Sequence, residues 1–560
     1  MKEFAVTQVR WASWQDMSLP LYRRWNERNR LPAHFWQRIW EYPFLASHVP
    51  KDARALDVGG TYPFVLFPNF PNAVSLDIRD LNRLDHPLHK GLWPEDGLVV
   101  ASADDMPFED DAFEYSFCIS AIEEMPDPLA VLKEMLRVTR RKVLITTDIS
   151  EKLGMPAGQL AELASFLGVE IPLLPPDALV SSDRRMRSFG MRRAPEYDHI
   201  RVIGLVLENT GPEERSCGII VPHWESFPFL EACVRRIRRH ADPSLAQHIY
   251  IVDDASKDGS FEKIEAAYSD DEDVTLVRVD RPNPTVADVG LLLDYGLEHV
   301  REKYVCMIDA DLFPTNDDWL AFPIHLLEKH GCSSVGCDTG LANAYLLMGV
   351  CSGDWANSYG SLPGFTLFGN ENFTCTNNFY RVMKTSLAKI VSDGIGFSRR
   401  STKTPATVPG KVARRLERLS YRLRKGDYCP PHCDNGVAAN HFIDVNRLGP
   451  KYSIPITSAV GFTPSEGVFG QNVCGLVFHF ALSTRALSRL RREVGDAGAD
   501  YAAYSRAILE DGLSDELLDE LLAKCSPKRW FSDDLPESWY EEQQALFERE
   551  YGLYKRGLSG

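Results

Sequence analysis

The 560-residue sequence has no long apolar segment. No run reaches the ~18 consecutive apolar residues that a transmembrane helix requires, and residues 1–8 do not resemble the apolar start of a signal peptide. These absences favour a cytoplasmic protein. Low-complexity tracts and internal repeats are also missing, which is typical of globular domains. Because the chain exceeds the size of one ordinary hydrophobic core, we expect several domains.

An excess of positive charge is missing as well. The chain has 79 acidic and 62 basic side chains and a net charge of −17, which argues against general nucleic-acid binding. Its 12 cysteines are scattered, and many lie in apolar runs, as expected of reduced thiols in a core. Cys429 and Cys433 are not followed by a second pair of ligands at zinc-finger spacing, so a structural zinc is not expected.

Three apolar runs, residues 217–221, 248–252 and 304–308, each end in a cluster of polar side chains. The segments between them have helical periodicity, which indicates parallel strands joined by crossover helices. Ligands bind at the carboxyl ends of such strands, so we expect the clusters to form one site. In chain order the clusters are Pro222-His223-Trp224-Glu225, Asp253-Asp254 and Asp309-Ala310-Asp311.

The two carboxylates of the third cluster are suited to a divalent cation. A sugar nucleotide leaves as a diphosphate, and an acidic protein has no general positive field to neutralise it. Mg²⁺ or Mn²⁺, held by one or two carboxylates together with substrate oxygens, would do so. An isolated Asp-x-Asp is usually a solvated loop, but Asp309 and Asp311 follow a buried run and the acidic 253–260 segment. That combination predicts a metal-dependent nucleotide-sugar site.

Residues 217–314 resemble a family 2 glycosyltransferase with the GT-A fold. The resemblance implies a nucleotide-diphosphate sugar donor, inversion at the anomeric carbon and metal ligation by Asp309 and Asp311. One departure is Ala287-Asp288, which stands where the family often has an Arg-Asn pair. The residues assigned to the donor nucleotide by the resemblance are Pro222, His223, Trp224, Glu225, Asp253, Asp254 and Asp309.

The same resemblance extends into the second half of this region. Residues 374–381 are similar to the family's segment beneath the sugar and the acceptor. The family's catalytic base maps best to Asp434, with Asp393 and Glu371 as alternatives, although Asp434 would also suit an ordinary helix N-cap. His479 matches a late histidine that completes metal or diphosphate binding in some GT-A enzymes; the alternative is a buried histidine with a hydrogen-bonding role.

The first half of the chain contains a second pattern of strands ending in acids. Residues 54–60 predict a strand that ends in Asp57 and is followed by Gly59 and Gly60, where the missing side chains let a ligand approach the backbone. Residues 73–77 predict a second strand, and Asp77 at its end is placed to bind a ribose diol. Asp127 is predicted to cap the helix that follows the next strand.

Residues 50–150 resemble a class I S-adenosylmethionine-dependent methyltransferase of the type 11 kind. Departures are Thr61 in the glycine loop, Ser102 in place of an adenine-binding acid, and Glu124 where many relatives have histidine. A scaffold without activity is therefore the alternative, and NAD binding is disfavoured because the full Gly-x-Gly-x-x-Gly is absent. The S-adenosylmethionine contacts implied by the resemblance are Asp57, Gly59, Gly60, Asp77, Ser102, Ala103 and Ile119, with Glu124 or Glu123 as the base.

We therefore predict an α/β protein with two Rossmann-like domains and a helical C-terminal tail. The predicted segments are a helical cap at 1–50, a methyltransferase-like domain at 51–210, a GT-A domain at 211–485 and a helical extension at 486–560. The extension has no chemical motif and is expected to serve packing or homo-oligomerisation. A basic insertion at about 398–427 is a candidate lid or docking arm, although a solvated surface helix is the plainer interpretation.

The predicted function is that of a bifunctional methyltransferase and inverting glycosyltransferase that builds a methylated polysaccharide or glycolipid. The acceptor would be a glycan or a lipid-linked molecule, met in the cytoplasm or peripherally at the inner membrane face. The alternative is a glycosyltransferase whose first half is a scaffold or acceptor-binding domain. A sugar-1-phosphate nucleotidyltransferase is disfavoured because no Gly-rich, basic loop follows the first strand of residues 217–221.

Overall fold

The protein forms two compact units, Met1–Glu213 and Glu214–Gly560. No helix in the described part of the chain has both the length and the apolar character needed to cross a membrane. The computed structural model describes residues 4–85, 88–94, 96–209, 215–279, 289–338, 376–394, 397, 439, 442–443, 446–454, 458–461, 468–479, 514–525 and 537–558.

The first unit is built on a seven-stranded sheet in the order β1-β7-β6-β5-β2-β3-β4. Strands β2 to β6 pair in parallel, and β7 and β1 extend the sheet in antiparallel fashion. Its strands are β1 (Phe4–Trp11), β2 (Ala55–Val58), β3 (Val74–Asp77), β4 (Leu98–Val100), β5 (Phe113–Ile119), β6 (Thr139–Ile149) and β7 (Arg201–Asn209). Its helices are α1 (Trp14–Met17), α2 (Pro20–Arg28), α3 (Arg38–Ala46), α4 (Pro63–Asn69), α5 (Pro128–Val138) and α6 (Ala157–Leu167), with 3₁₀ turns at Ile122–Glu124, Arg184–Phe189 and Pro195–Tyr197.

The prediction of a purely helical cap at 1–50 is wrong at its start. Phe4–Trp11 is a strand that pairs antiparallel with β7 from Phe4↔Asn209 to Trp11↔Ile203. The edge of β7 presents unpaired backbone groups, and β1 satisfies them. A shift in register between Val6 and Gln8 interrupts the simple alternation that would have marked a strand in the sequence. The three short helices α1, α2 and α3 do carry part of the aromatic residues of the cap, namely Trp14, Tyr22, Trp25, Trp40 and Tyr42.

The second unit has a seven-stranded sheet in the order β10-β9-β8-β11-β14-β13-β15 and a four-stranded sheet in the order β12-β18-β17-β16. Strands β10, β9, β8 and β11 are parallel neighbours. The strands are β8 (Ser216–His223), β9 (Ala246–Asp253), β10 (Val274–Arg278), β11 (Tyr304–Ile308), β12 (Leu312–Pro314), β13 (Ser334–Asp338), β14 (Thr376–Lys384), β15 (Lys451–Ile454), β16 (Ser458–Gly461), β17 (Val468–Val473) and β18 (Val477–His479). The helices are α7 (Phe227–Arg239), α8 (Ser260–Tyr268), α9 (Val289–His299), α10 (Ala321–His330), α11 (Thr385–Gly394), α12 (Asp515–Ala523) and α13 (Glu537–Leu558).

The two seven-stranded sheets, with their helices, confirm the predicted fold class of two Rossmann-like α/β domains. Buried side chains pack on both faces of the first sheet, as the near-continuous apolar strands require. In the second unit the helices α12 and α13 join the core that also contains the β8 and β11 side chains. The basic insertion at 398–427 lies outside the described residues.

Candidate functional site

The two aspartates after β11 lie beside His479. Asp309 and Asp311 occupy the connection between β11 and β12, and β12 pairs antiparallel with β18 so that Leu312 faces His479. The Nε2 atom of His479 is 3.4 Å from Asp311 Oδ1 and 3.9 Å from Asp309 Oδ2. Asp311 and His479 are each only 8 % exposed. One ligand atom from each of the three residues lies within 4.8 Å of the others.

This donor set fits a divalent cation. Two carboxylates and an imidazole offer oxygen and nitrogen ligands, which suit Mn²⁺; Mg²⁺ favours the oxygens alone. Three side chains leave positions for substrate oxygens and water, as a catalytic metal requires. The partly exposed Asp309 carboxylate, at 30 %, marks the side from which a ligand can enter.

The polar clusters after β8 and β9 meet at the same edge of the sheet. The two strands pair in parallel up to His223↔Asp253, and the backbone N–H of Asp254 donates to the carbonyl of His223 at 2.9 Å. Since β8 also neighbours β11, all three predicted clusters follow adjacent strands. The structure therefore brings together the residues that the sequence assigned to the donor and to the metal.

His223 and Asp253 are hydrogen-bonded to each other and to two neighbouring serines. His223 Nδ1 donates to Asp253 Oδ2 at 2.8 Å, and His223 Nε2 accepts from the backbone N–H of Ser226 at 3.1 Å. Asp253 also accepts from the backbone N–H and the hydroxyl of Ser256. Burial alone would raise the pKa of the Asp253 carboxyl, but the hydrogen bonds from His223 and Ser256 outweigh it and hold the pKa below its ordinary value.

This network limits what His223 and Asp253 can do. Both side chains are almost completely buried, and a direct contact with a nucleoside would have to replace one of these hydrogen bonds. Trp224 and Glu225 are half-buried, and Pro222 is buried in the strand. Glu225 has a left-handed backbone, with φ of 47°, that its N–H stabilises by donating to Ser256 Oγ at 2.9 Å.

The predicted acceptor side is only partly visible. Asp434 and Glu371 lie outside the described residues, and so do Ala287 and Asp288 on the donor side. Asp393 is exposed near the end of α11. The serines at 226 and 256 give no functional signal in the sequence, because a serine shortly after a strand is common in any turn.

In the first unit, the glycine turn after β2 lies close to the ends of two other strands. Gly59 and Gly60 have φ of 95° and 70°, which favour glycine. A Cβ on Gly59 would lie 2.4 Å from Ala121 Cβ, and a Cβ on Gly60 would lie 2.5 Å from Leu81 Cδ1 and 3.0 Å from Asp77 Oδ2. This close approach of the turn to the carboxyl ends of β3 and β5 fits a nucleotide-binding cradle.

Asp57 holds this turn in place through hydrogen bonds. Its carboxylate accepts from the backbone N–H and the hydroxyl of Thr61, both at 2.7 Å, and from Ser75 Oγ at 2.8 Å. Burial raises the pKa of Asp57 to about 6, although these hydrogen bonds oppose the shift. Thr61 stands where the family usually has a glycine, and its backbone N–H and hydroxyl fix the turn to Asp57. Asp57 is completely buried, and its hydrogen bonds support the loop.

Asp77 is held at the end of β3 by a neighbouring arginine. Arg79 donates to its carboxylate from the backbone N–H at 2.8 Å and from Nε at 3.0 Å. The Arg79 side chain is 61 % exposed, so it can give way to a ribose diol. Ile78, between them, is 72 % exposed and offers an apolar surface beside the carboxylate. Ser102 and Ala103 are half-buried after β4, and Ile119 is buried at the end of β5.

The two candidate bases of the first unit differ in environment. Glu124 is exposed at the end of a 3₁₀ turn. Glu123 turns inward and accepts from Thr147 Oγ1 at 3.0 Å and from the backbone N–H of Asp148 at 3.1 Å. Burial, followed by the charge of Asp148, raises the pKa of Glu123 to about 8. A carboxyl with such a pKa is suited to proton transfer near neutral pH.

The fold and the polar edges define a chain with two α/β domains, each having a candidate site at the carboxyl ends of its parallel strands. Family models give the class of each. Residues 218–346 match the glycosyl transferase family 2, and residues 72–146 match a methyltransferase domain. The chain therefore joins a methyltransferase domain to a family 2 glycosyltransferase domain, which confirms both resemblances.

Solved structures show only weak similarity. Residues 1–349 of S. aureus TarS share 15 % identity over 34 % of this chain and 52 % of that chain, with a TM-score of 0.24. The mannosyltransferase PcManGT from Pyrobaculum calidifontis, in complex with GDP-Man and Mn²⁺, shares 15 % sequence identity. The match covers 56 % of this chain and 85 % of that chain, with a TM-score of 0.24. The [4+2]-cyclase SpnF shares 17 % sequence identity over 35 % of this chain and 93 % of that chain, also with a TM-score of 0.24.

Similarities this low carry no argument about activity. The chain spans about half the length of the TarS structure that it matches. No curated protein matches the chain.

Proposed function

We propose that the second unit transfers a sugar from a nucleotide-diphosphate donor to a hydroxyl of a glycan or lipid-linked acceptor, with inversion. The observation that carries this proposal is the Asp309–Asp311–His479 cluster, which lies at the sheet edge where β8 and β9 also end. A bound Mg²⁺ or Mn²⁺ would stabilise the negative charge that develops on the departing diphosphate.

The protein's own residues would orient the donor and remove a proton. We assign contacts with the nucleoside to the half-buried Trp224 and Glu225, while the His223–Asp253 pair keeps the ends of β8 and β9 in register. Asp254 is completely buried and remains a sequence-based assignment. The acceptor oxygen would form a bond to the anomeric carbon from the face opposite the diphosphate. The carbon–oxygen bond to the diphosphate breaks, its electron pair leaves with the diphosphate, and a carboxylate accepts the hydroxyl proton. Asp434 remains the sequence-based assignment for that base.

We propose further that the first unit methylates the same glycan. S-adenosylmethionine would supply an electrophilic methyl group when bound, with its ribose at Asp77 and the adjoining backbone at Gly59 and Gly60. The acceptor oxygen would form a bond to the methyl carbon as the carbon–sulfur bond breaks, leaving the electron pair on sulfur. Glu123, with its raised pKa, is a better base for the hydroxyl proton than the exposed Glu124.

A second candidate, a first unit that serves only as a scaffold or acceptor-binding domain, is favoured by the Asp77–Arg79 pair. The Arg79 side chain already donates hydrogen bonds to the Asp77 carboxylate, to which a ribose would have to donate instead. Calorimetric titration with S-adenosylhomocysteine separates the two candidates. Binding by the wild-type protein that Asp77→Asn abolishes supports methyl transfer, whereas a wild-type protein that does not bind supports the scaffold.

The glycosyltransferase proposal is tested by donor hydrolysis. The wild-type protein should release UDP or GDP from a panel of nucleotide sugars only when Mg²⁺ or Mn²⁺ is present. Asp311→Asn should lower that rate by about 100-fold or more, since it removes a buried metal ligand. Glu265→Gln, an equivalent change on the exposed face of α8, should have no effect. Hydrolysis that survives chelation of the metal and the Asp311→Asn substitution would refute the proposal.

The cellular setting is also a proposal. We propose that the protein acts in the cytoplasm and meets a lipid-linked acceptor at the inner membrane face through the basic insertion at 398–427. Deletion of residues 399–425 should then reduce transfer onto lipid-linked acceptors more than onto soluble ones. Equal activity on both kinds of acceptor would dismiss the docking arm.

A further inference from the structure

A buried arginine joins the metal-bearing strand to the C-terminal tail. Arg236, on α7, is only 5 % exposed. Its Nε donates to the carbonyl of Pro314 at 2.9 Å, and its Nη1 donates to Asp515 Oδ1 at 2.9 Å. Pro314 is the last residue of β12, and Asp515 is the first residue of α12. One guanidinium therefore connects two elements that lie far apart in the sequence.

Strand β12 needs such support because it is short. It has three residues, begins directly after Asp311 and pairs with β18, where Leu312 faces His479 and Pro314 faces Val477. A sliding or tilting of β12 against β18 would change the separation between Asp311 and His479. The Arg236 bond to Pro314 ties the far end of β12 to α7 and opposes that movement.

The tail is held to the same region by further contacts. Asp515 also pairs with Arg239 on α7. The hydrogen bond from Arg236 and the charges of Arg236 and Arg239 hold the pKa of Asp515 below its ordinary value, against the opposing effect of burial. The carboxyl is therefore ionised at neutral pH and remains an acceptor for both arginines.

Helix α13 covers the segment that follows β12. Tyr551 donates to Asp318, and Lys555 pairs with Asp318 at 2.7 Å. Glu550, 7 % exposed, pairs with Lys329 at 2.7 Å at the end of α10. The chain from β12 through α10 is thus in contact with α7 at its start and with α13 further along.

We propose that the C-terminal helices belong to the metal centre, with Arg236 as a positioning residue that sets the Asp311–His479 geometry through Pro314 and Asp515. This inference rests on the proposed metal-dependent glycosyl transfer. It gives the tail a defined task, where the sequence alone indicated packing or oligomerisation. Arg236 itself touches neither the metal ligands nor a substrate.

The test is direct Mn²⁺ binding by the full-length protein, measured from the electron paramagnetic resonance signal of free Mn²⁺ in the presence of UDP or GDP. Asp515→Ala removes the outer partner of Arg236. Arg236→Lys keeps the charge but cannot reach both Pro314 and Asp515 with one ammonium group. Each variant should weaken Mn²⁺ binding by about tenfold, as expected for loss of a group that orients a ligand. Donor hydrolysis at saturating Mn²⁺ should remain near the wild-type rate.

The matched control is Glu516→Ala, which removes the exposed acid next to Asp515 in the first turn of the same helix. Its Mn²⁺ affinity should equal that of the wild type. Unchanged Mn²⁺ affinity in both Asp515→Ala and Arg236→Lys would overturn the inference, even if their thermal stability fell. A wild-type protein that neither binds Mn²⁺ nor hydrolyses a donor would overturn the proposed function and the inference together.

Discussion

Three carboxylates meet near the ends of β5 and β6 in the first unit. Glu41 is completely buried and pairs with Arg38, and its Oε1 accepts from Thr146 Oγ1 at 2.7 Å. Burial, together with the charge of Glu41, raises the pKa of Asp148 to about 7. Asp148 in turn contributes to the raised pKa of Glu123. Such neighbours cannot all be ionised without cost, so the folded unit retains protons that the unfolded chain releases.

This proton retention predicts a pH-dependent stability. The pKa of Glu123 rises from 4.5 to about 8 on folding, so its contribution to the unfolding free energy is complete below about pH 4.5 and is lost as the pH rises to about 8. Glu123→Gln keeps the shape without the charge. Relative to the wild type, we expect the variant to gain about 1–3 kcal/mol in urea unfolding between pH 5 and pH 8.5.

The control for this prediction is Glu124→Gln, because Glu124 is the exposed neighbour on the same turn. Its pH profile of stability should follow that of the wild type. If Glu123→Gln shows the wild-type slope between pH 5 and pH 8.5, the Glu123 carboxyl does not retain a proton in the folded protein.

At the scale of elements, the docking of α13 depends on aromatic packing. Phe547 is 5 % exposed and meets the ring of Phe322 edge-on, with centroids 5.6 Å apart. Tyr551 and Tyr554 approach the same ring at 5.1 and 5.3 Å. A helix that places three aromatic rings around one buried ring is stabilised chiefly by apolar burial, and the ion pairs at its surface add less.

We therefore expect Phe547→Ala to release α13. Truncating a buried phenylalanine costs about 3–5 kcal/mol, which exceeds what the ion pairs at the surface of the helix supply. Limited proteolysis should then cut the chain within α13 at a protease concentration that leaves the wild type intact. Leu553→Ala changes a residue of the same helix that is 43 % exposed, and it should not increase cleavage. Equal cleavage of both variants would show that α13 is not held by its aromatic face.

At the scale of the whole molecule, the chain consists of two units with separate sheets and separate candidate sites. The glycine turn and Asp77 lie in the first unit, and the Asp309–Asp311–His479 cluster lies in the second. A ligand that binds only the folded form of one unit stabilises that unit by mass action. The two proposed ligands should therefore act on different parts of the chain.

Scanning calorimetry of the full-length protein tests this independence. S-adenosylhomocysteine should raise the temperature of one unfolding transition, and UDP or GDP with Mn²⁺ should raise the other. At a ligand concentration of about 100 times Kd, each gain corresponds to about 2.7 kcal/mol. Asp77→Asn should abolish the first shift alone and Asp311→Asn the second alone. A single transition shifted by both ligands would contradict the prediction.

Local patterns determined much of this protein from its sequence alone. Phe227–Arg239 is a helix between the first two apolar runs, where the periodicity predicted a crossover helix, and Asp127 caps α5 as predicted by accepting from two backbone N–H groups. The three polar clusters also follow adjacent strands, as predicted. Helix periodicity, N-caps and the ends of apolar runs depend on residues close together in the chain, so the sequence displays them directly.

Pairings between distant residues were decided only by the tertiary structure. Three contacts join segments that are separated in the sequence. They are the pairing of the edge strand β1 with β7, the 2.8 Å hydrogen bond between His223 and Asp253, and the two hydrogen bonds of Arg236 to Pro314 and Asp515. No local pattern records such a partner, because one buried polar group can be satisfied by many others. The sequence therefore determined which side chains reach the edge of each sheet, and the packing determined which of them remain available to a ligand.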